Sequence, residues 1–235
     1  MKFHNRITIS VITLAILLLL FSSAFATNKA VNVYSENEQL KKRACVIIDA
    51  GHGGVDGGAV SCTGVEESQI NLEIALRLND LMHLLGINTY MIRTDDVSIY
   101  TSGNSIAAKK VSDLKERVKI INQTPNAILV SVHQNYFQDS RYSGAQVFYY
   151  QDATLAKQLQ TALVKTLKPE SKRKAKRADG VYLMQNIHCP AALIECGFLS
   201  NPTEEAQLRD AEYQKKLCCV IGSVVSCYIY NCSIA

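Results

Sequence analysis

The sequence predicts an α/β protein in which helices cover both faces of a largely parallel sheet. Short apolar runs rich in β-branched residues alternate with longer segments whose apolar residues recur three and four positions apart. Strands that alternate with helices in this way are typical of a parallel sheet. The 235 residues are enough for a single domain with one sizeable core.

The predicted elements follow one another in a regular order. The strand candidates are Cys45–Asp49, Asn88–Ile92, Ala127–Val132, Ala145–Tyr150 and Ala192–Glu195. The helical patterns between them are Glu67–Leu85, Val111–Asn122 and Asp152–Leu167. Gly86 directly follows the first helical pattern, at a position where glycine commonly ends a helix. This order supports the α/β assignment.

The segment Leu217–Ala235 contains no charged residue, which allows two interpretations. An uncharged apolar stretch of this length is long enough to be a second membrane span. However, Leu217, Ile221 and Val224 continue a helical stripe, whereas Ser223 lies off it. A helix surrounded by lipid does not need such a stripe, so the pattern favours a buried terminal helix.

The first 26 residues have the layout of an export signal. Two basic residues precede an apolar run from Ile7 to Phe21, and small residues around Ala26 provide a cleavage point. The run is also long enough to span a bilayer, so membrane attachment by an uncleaved anchor is the alternative. Residues 27–44 are polar and are expected to link this segment to the domain at 45–235. Under both interpretations that domain lies outside the cytoplasm.

The net charge and the cysteine pattern argue against nucleic-acid binding and against a disulfide-stabilised scaffold. The formal net charge is +4, which gives nucleic-acid binding no support. Eight cysteines in an exported chain are compatible with a disulfide framework. Their spacing is irregular, however, and a domain of this size folds without cross-links. We therefore expect mostly free thiols.

A strongly basic segment lies between residues 168 and 177. It contains six lysine or arginine residues and a single acid, Glu170. One interpretation is a solvated surface loop. The other is a patch that attracts an anionic polymer outside the cell, because clustered cations act on such polymers at long range.

A glycine-dense loop follows the first strand candidate. In Asp49-Ala-Gly-His-Gly-Gly54 the apolar run stops at Asp49, and His52 lies among the glycines. Loops at the carboxyl ends of parallel strands commonly carry functional groups, and glycines let the backbone approach a ligand closely. A nucleotide-binding P-loop is excluded because no Gly-Lys-Ser/Thr follows. The loop favours a metal-binding or catalytic His52 over a structural turn histidine.

Four side chains are expected to meet at one edge of the sheet. The glycine loop carries His52, and Glu67 opens the first long helix. His133 and Glu195 come at the ends of buried strands. Two imidazoles and one carboxylate form the three-ligand zinc site of many hydrolases, and a further glutamate can transfer protons. Each residue alone also has an ordinary structural interpretation, such as an acid at a helix start; the four together favour a zinc hydrolase.

Several ordered stretches carry a family resemblance. The main ones are Ile48-Asp-Ala-Gly-His-Gly-Gly54, Glu67-Ser-Gln-Ile-Asn-Leu72, Ser131-Val-His-Gln-Asn135 and Pro190-Ala-Ala-Leu-Ile-Glu-Cys-Gly-Phe-Leu-Ser-Asn201. In order and spacing they resemble the zinc-dependent N-acetylmuramoyl-L-alanine amidases of bacterial cell walls. The similarity covers about residues 45–230, a single catalytic domain. The short form, without a separate wall-binding module, is similar to the germination-specific branch that acts on spore cortex.

The resemblance implies one Zn²⁺ per chain, held by His52, Glu67 and His133. It implies peptidoglycan as the substrate, cut at the amide between the lactyl group of N-acetylmuramic acid and L-alanine of the stem peptide. Glu195 corresponds to the catalytic glutamate, first a base and then the acid for the departing amine. Asp49 is a candidate for orienting His52, because carboxylates commonly support liganding imidazoles, with a loop-capping role as the alternative. The sequence says nothing about an activator protein.

The sequence departs from the family pattern beside the third histidine. Gln134 stands where the family usually has alanine, so we expect its side chain to crowd the site or to hydrogen-bond within it. Glu66 competes with Glu67 for the ligand position, and the spacing to Asn71 selects Glu67. Two alternatives to an amidase stay open. One is another extracellular zinc peptidase or deacetylase, and the other is a non-catalytic wall-binding protein on an amidase scaffold.

Overall fold

Strands and helices alternate along the chain much as the apolar pattern predicts. The computed structural model describes Ser22 and residues 44–230, so the predicted export segment apart from Ser22, and nearly all of the polar linker, lie outside the described residues. The strands of this part are β1 (Cys45–Ala50), β2 (Asn88–Met91), β3 (Ala127–Asn135), β4 (Gln146–Tyr149), β5 (Lys176–Arg177) and β6 (Ala191–Phe198). Its helices are α1 (Glu67–Leu84), α2 (Ile106–Gln123), α3 (Thr154–Leu167), α4 (Tyr182–Asn186), α5 (Pro202–Arg209) and α6 (Ala211–Ile229).

The strands of the described chain form one six-stranded sheet in the order β2-β1-β3-β6-β4-β5. β2, β1, β3 and β6 are parallel, whereas β4 runs antiparallel to β6 and pairs in parallel with β5. The prediction of a largely parallel sheet is therefore confirmed. The carboxyl ends of β1, β3 and β6 meet at one edge, which we call the carboxyl edge. Because β4 and β5 run in the opposite direction, both begin at this same edge.

Helices cover both faces of the sheet because successive residues of a strand point to opposite sides. On β1, Ile48 belongs to a core cluster shared with α1, α3 and α6. Its neighbour Ile47 belongs to a second cluster, shared with α2 and α4. Both side chains are completely buried. The alternation therefore gives one core on each face, as predicted.

The last helix is part of the first core. Along α6, Leu217, Ile221 and Val225 are fully buried. Gly222 lies so close to α1 that a Cβ at this position would be 2.9 Å from the Leu81 Cδ2. Within the described residues, no helix is long and apolar enough to cross a membrane. The interpretation of this segment as a buried helix is thus confirmed as far as the described residues extend.

Two predicted strand ends are wrong by several residues. β3 continues through His133 to Asn135, and β6 continues through Glu195 to Phe198. His133 and Glu195 therefore lie inside their strands and not at or just beyond the strand ends. The reason is that a polar side chain interrupts the apolar pattern although the backbone ladder continues. β5, α4 and α5 are too short, at two to eight residues, to give a periodic signal.

Seven of the eight cysteines lie in the described part of the chain, and all seven are free thiols. Cys196 and Cys218 are buried, and burial raises the pKa of the Cys218 thiol to about 12. These two side chains act as small apolar residues of the core. The expectation of mostly free thiols is confirmed for these seven, and Cys232 lies outside the described residues.

Shortening an apolar side chain of α6 is expected to destabilise the protein. Ile221→Ala leaves a cavity in the core shared with α1 and α3, and should lower the free energy of unfolding by about 2–5 kcal/mol. Cys219→Ala changes an exposed residue of the same helix and is the matched control, with an effect below about 0.5 kcal/mol. Urea-induced unfolding measures both; equal stabilities would contradict the burial of α6.

Candidate metal and catalytic site

The carboxylate of Glu67 lies at the centre of the carboxyl edge. Glu67 is the first residue of α1, where the helix dipole stabilises a negative charge, and only 4% of its surface is exposed. Its oxygens accept hydrogen bonds from the backbone nitrogens of Ala59 and Gln134, at 3.0 and 3.1 Å. The Asn71 Nδ2 donates a further hydrogen bond at 3.2 Å. The charge is therefore buried but well supplied with donors.

Two imidazoles flank this carboxylate, one at each oxygen. The His52 Nε2 lies 3.3 Å from the Glu67 Oε2, and the His133 Nδ1 lies 3.1 Å from the Oε1. The ring centroids are 5.0 Å apart and the rings are nearly perpendicular, at 78°. Burial alone would raise the pKa of Glu67, but hydrogen bonds with His133 and His52 hold it well below its usual range. One ligating atom from each residue lies within 4.8 Å of the other two.

Asp56 orients the His52 ring. Its Oδ2 lies 2.9 Å from the His52 Nδ1, and its Oδ1 is 2.6 Å from the Lys110 Nζ of α2. Burial alone would lower the pKa of His52, but Asp56 and Glu67 raise it to about 9. With Nδ1 held by Asp56, the Nε2 atom faces Glu67. Asp56 was not identified from the sequence; the available signal was a carboxylate four residues after His52 in the same glycine loop.

Asp49 does not contact the His52 ring, so the expectation that it orients this imidazole directly is wrong. Asp49 is buried, pairs with Arg117 of α2 and accepts a hydrogen bond from the Ser131 Oγ at 2.6 Å. Strand alternation turns the Asp49 side chain toward the face that α2 covers. Arg117 in turn donates to the backbone oxygen of His52 at 2.8 Å. Asp49 thus acts on His52 only through Arg117 and the backbone.

Two buried arginines hold the glycine loop in place. Arg117 donates to the Ala50 oxygen at 3.0 Å, and Arg93 donates to the oxygens of Ala50 and Gly51 at 2.9 and 3.1 Å. His52 itself has a φ of 61°, in the left-handed region that non-glycine residues seldom adopt. Such a conformation persists only when its surroundings hold it. The conformation of this loop is therefore held by hydrogen bonds from two buried side chains.

Two glycines give the site side chains the space they occupy. A Cβ at Gly51 would lie 2.2 Å from the His133 Cε1. At Gly58, where φ is +73°, it would lie 2.6 Å from the Glu67 Oε2. Both positions therefore exclude larger residues. The glycine density of this loop is explained by the close approach of backbone to side chains.

Glu195 lies beside the metal-binding candidates on the neighbouring strand. It pairs in parallel register with His133 of β3. Its Oε2 is buried and has no hydrogen-bond partner among the described residues. Burial raises the pKa of Glu195 to about 7. Because an unpaired buried oxygen is costly, a carboxyl group of this kind is typical of a proton-transfer group.

The structure shows the outcome both for Gln134, which departs from the family pattern, and for the choice between Glu66 and Glu67. The Gln134 Nε2 donates to the Asn71 Oδ1 at 3.1 Å, so this side chain contacts the residue that supports Glu67 and not the imidazoles. Glu66 is exposed, and its carboxyl group lies against Gly57. The structure therefore brings Glu67, and not Glu66, to the two histidines.

The donor set fits a zinc ion. Two imidazoles and one carboxylate are the protein ligands of many catalytic zinc sites, in which a fourth position stays open. The pairing of His52 with Asp56 is the carboxylate–histidine arrangement that commonly orients a ligand. Within the residues described, this is the one group of three histidine, cysteine or acidic side chains close enough to share an ion. The structure thus contains a potential metal site at the predicted place.

Comparisons with known proteins agree with this fold and site. The family model for N-acetylmuramoyl-L-alanine amidases (Amidase_3) matches residues 46–225. The chain is 39% identical over 207 residues to the germination-specific N-acetylmuramoyl-L-alanine amidase of Bacillus subtilis, over 86% of this chain and 85% of that protein. It is similar in structure to the CwlD amidase of Clostridioides difficile, solved in complex with the GerS lipoprotein (37% identity, TM-score 0.75, 79% of this chain and 98% of that one). A second similar structure is an N-acetylmuramoyl-L-alanine amidase from Clostridium difficile 630 (32% identity, TM-score 0.66, 79% and 96%).

The fold and the site together define a hydrolytic enzyme with a potential His–Glu–His metal centre. The chain belongs to the N-acetylmuramoyl-L-alanine amidase family. Its activity is the hydrolysis of the amide that joins the lactyl group of N-acetylmuramic acid to L-alanine in peptidoglycan. A different peptidase or deacetylase, and a non-catalytic wall-binding protein, are not favoured.

A methyl group added at Gly51 is expected to displace His133 and to weaken metal binding. The Cβ of Gly51→Ala overlaps the imidazole, so the Kd for Zn²⁺ should rise at least about tenfold. Gly57→Ala is the matched control, because its Cβ meets only the exposed carboxyl end of Glu66. Titration of the metal-free proteins with Zn²⁺ measures both affinities. Equal Kd values for the two variants would show that His133 does not need this space.

Replacing Asp56 is expected to affect metal binding, whereas replacing Asp49 is expected to affect stability. Asp56→Asn removes the carboxylate that orients His52, and should weaken Zn²⁺ binding by about 10–100-fold with little change in stability. Asp49→Asn breaks a buried pair with Arg117 and should cost about 3–5 kcal/mol of unfolding free energy. Zinc titration and urea-induced unfolding of both variants separate the two effects. Weaker Zn²⁺ binding by Asp49→Asn, together with lower stability of Asp56→Asn, would instead identify Asp49 as the carboxylate that orients His52.

Proposed function

We propose that this amidase holds one Zn²⁺ through His52, Glu67 and His133 and uses Glu195 to transfer protons. The main support is that three suitable donors converge beside a carboxylate on the next strand whose Oε2 has no partner among the described residues. The ligating atoms would be the Nε2 of His52, the Nδ1 of His133 and the carboxylate of Glu67. When bound, Zn²⁺ supplies a Lewis acid that polarises a carbonyl group and lowers the pKa of water.

Glu195 carries the proton chemistry in this proposal. It takes a proton from the water that attacks the lactyl carbonyl carbon. When the carbon–nitrogen bond breaks, Glu195 gives a proton to the departing α-amine of L-alanine, so the products are a lactyl carboxylate and a free amine. A pKa of about 7 suits a group that both accepts and donates a proton near neutral pH. No other buried side chain is needed for these two transfers.

We further propose that the substrate is spore-cortex peptidoglycan and that the enzyme acts outside the cytoplasm. The support is the 39% identity to a germination-specific amidase and the export layout of residues 1–26. The similar amidase of Clostridioides difficile was solved in complex with a lipoprotein, which supports a lipoprotein partner for this chain as well. In this proposal peptidoglycan is the substrate, as expected for a relative of N-acetylmuramoyl-L-alanine amidases.

Muropeptide analysis tests the proposed reaction. Cortex peptidoglycan is digested with the full-length protein, with and without a chelator, and the new ends are identified by mass spectrometry. We expect free L-alanine amines and intact lactyl groups, lost with chelator and restored by Zn²⁺. New ends elsewhere in the stem peptide would indicate a peptidase, and chelator-resistant activity would remove zinc from the mechanism.

Replacing Glu195 is expected to separate proton transfer from metal binding. Glu195→Gln keeps the size of the side chain but cannot transfer a proton, so hydrolysis should fall by about 10²–10⁴-fold while Zn²⁺ stays bound. Glu67→Gln is the matched comparison, because it changes a proposed ligand and should lower zinc content and thermal stability together. Activity assays and metal analysis check both variants. Loss of zinc in Glu195→Gln would reassign that residue as a ligand.

A further inference from the structure

The basic segment forms one side of a groove outside the metal site. This groove has a volume of about 670 Å³, and we call it the basic groove. Six of its eleven lining residues are lysine or arginine, and Glu170 is the single acid among them. Lys172, Arg173 and Lys174 form no ion pair within the described residues, whereas Lys168 is paired with Glu204 and Arg141 with Asp139. The groove therefore presents uncompensated positive charge.

Strand register places the basic groove at the carboxyl edge, on the same side of the sheet as Glu195. Gln146 of β4 pairs with Glu195 of β6, and Lys176 of β5 pairs with Phe148 two residues further along β4. Lys174 therefore lies level with Gln146, whose Nε2 donates to the Lys174 oxygen at 2.6 Å. Two strand spacings separate Lys174 from Glu195, which is about 10 Å.

Arg173 is fixed in this groove by three contacts. Its guanidinium lies over the ring of Phe198, 4.8 Å from the centroid, and Phe198 ends the strand that carries Glu195. Its Nε donates to the Ser143 oxygen at 2.9 Å and its Nη1 contacts the Gln146 Oε1 at 3.4 Å. Its Nη2 makes no hydrogen bond within the described part of the chain and is available to a ligand. A side chain in a solvated loop would not be held in this way.

We infer that the basic groove binds carboxylates of the stem peptide, on the amine side of the amide that is cut. This inference rests on the proposed function. An extended peptide advances about 3.3 Å per residue, so its third residue beyond the scissile amide reaches about 10 Å, the separation of Glu195 from Lys174 on the far side of the groove. A held guanidinium with free donors suits a carboxylate, which pairs with it through charge-assisted hydrogen bonds.

The geometry favours the stem peptide over a long anionic polymer of the wall. A polymer attracted by charge alone is served by exposed, mobile lysines anywhere on the surface. Here the cations lie at the carboxyl edge, and the Arg173 guanidinium packs against Phe198, which is on the same strand as Glu195. The groove is thus placed to select the substrate at the residue positions that follow L-alanine.

A matched pair of substrates tests this inference. The zinc-loaded, full-length protein is assayed with a synthetic muramoyl tetrapeptide that has free carboxylates and with its fully amidated analogue. We expect the wild type to have about a tenfold lower KM for the free acid, since a charge-assisted hydrogen bond contributes about that factor. Arg173→Gln should raise KM about tenfold for the free acid, more than it changes kcat, and by no more than about twofold for the amide.

Two further lysine variants serve as controls for the effect of Arg173→Gln on KM. Lys215→Gln removes an exposed cation of α6 and should leave both KM values unchanged. Lys174→Gln, at an exposed position, repeats the test if Arg173→Gln is unstable to heat. Equal effects of Arg173→Gln on both substrates would overturn the inference. So would unchanged KM values with reduced binding to intact, polymer-bearing cell walls, which would indicate the anionic polymer. Wild type that releases no L-alanine amine from either substrate would instead contradict the proposed function.

Discussion

The buried carboxylate of Glu67 connects the segments that form the site. Taking an unpaired charge out of water costs several kcal/mol, so this side chain is tolerated only where donors surround it. The glycine loop supplies Ala59 and His52, and β3 supplies His133 and the backbone of Gln134. The start of α1, the loop and β3 must therefore all be in place before the charge is satisfied. The same interactions bring two imidazoles to one carboxylate, which is the donor set of a zinc hydrolase.

The residues that hold the glycine loop in place are different from the residue proposed to transfer protons. Arg93 and Arg117 lie behind the loop and donate hydrogen bonds to its carbonyl oxygens. Asp49 in turn holds Arg117 in a buried ion pair. Asp56 fixes the ring of His52. Glu195 is the exception, because its Oε2 is buried with no partner in the described structure. The groups that hold the loop and the His52 ring are thus paired, whereas the carboxyl group proposed to transfer protons is not. Paired supporting groups of this kind keep a site close to one geometry.

The parallel strands and the residues that meet at the carboxyl edge could be predicted from the sequence, because both leave a recognisable pattern in it. Buried parallel strands are continuously apolar, so β1, β3 and β6 were recognisable, and the polar residue that ends each run pointed to His133 and Glu195. Side-chain partners were not predictable in the same way. Asp49 and Asp56 both lie near His52 along the chain, and only the three-dimensional course of the loop decides which carboxylate meets the ring. β5 was missed because two exposed basic residues carry no strand pattern.

The most direct test of this account is an anomalous-scattering measurement at the zinc edge, on crystals of the protein grown with Zn²⁺. We expect one strong peak, bonded to His52, Glu67 and His133 at about 2.0–2.2 Å. Glu195 should lie beside the ion without being bonded to it. A peak coordinated by Glu66 or Glu195, or no peak between the two histidines, would contradict the assignment of Glu67 as the central ligand and of Glu195 as the proton-transfer group.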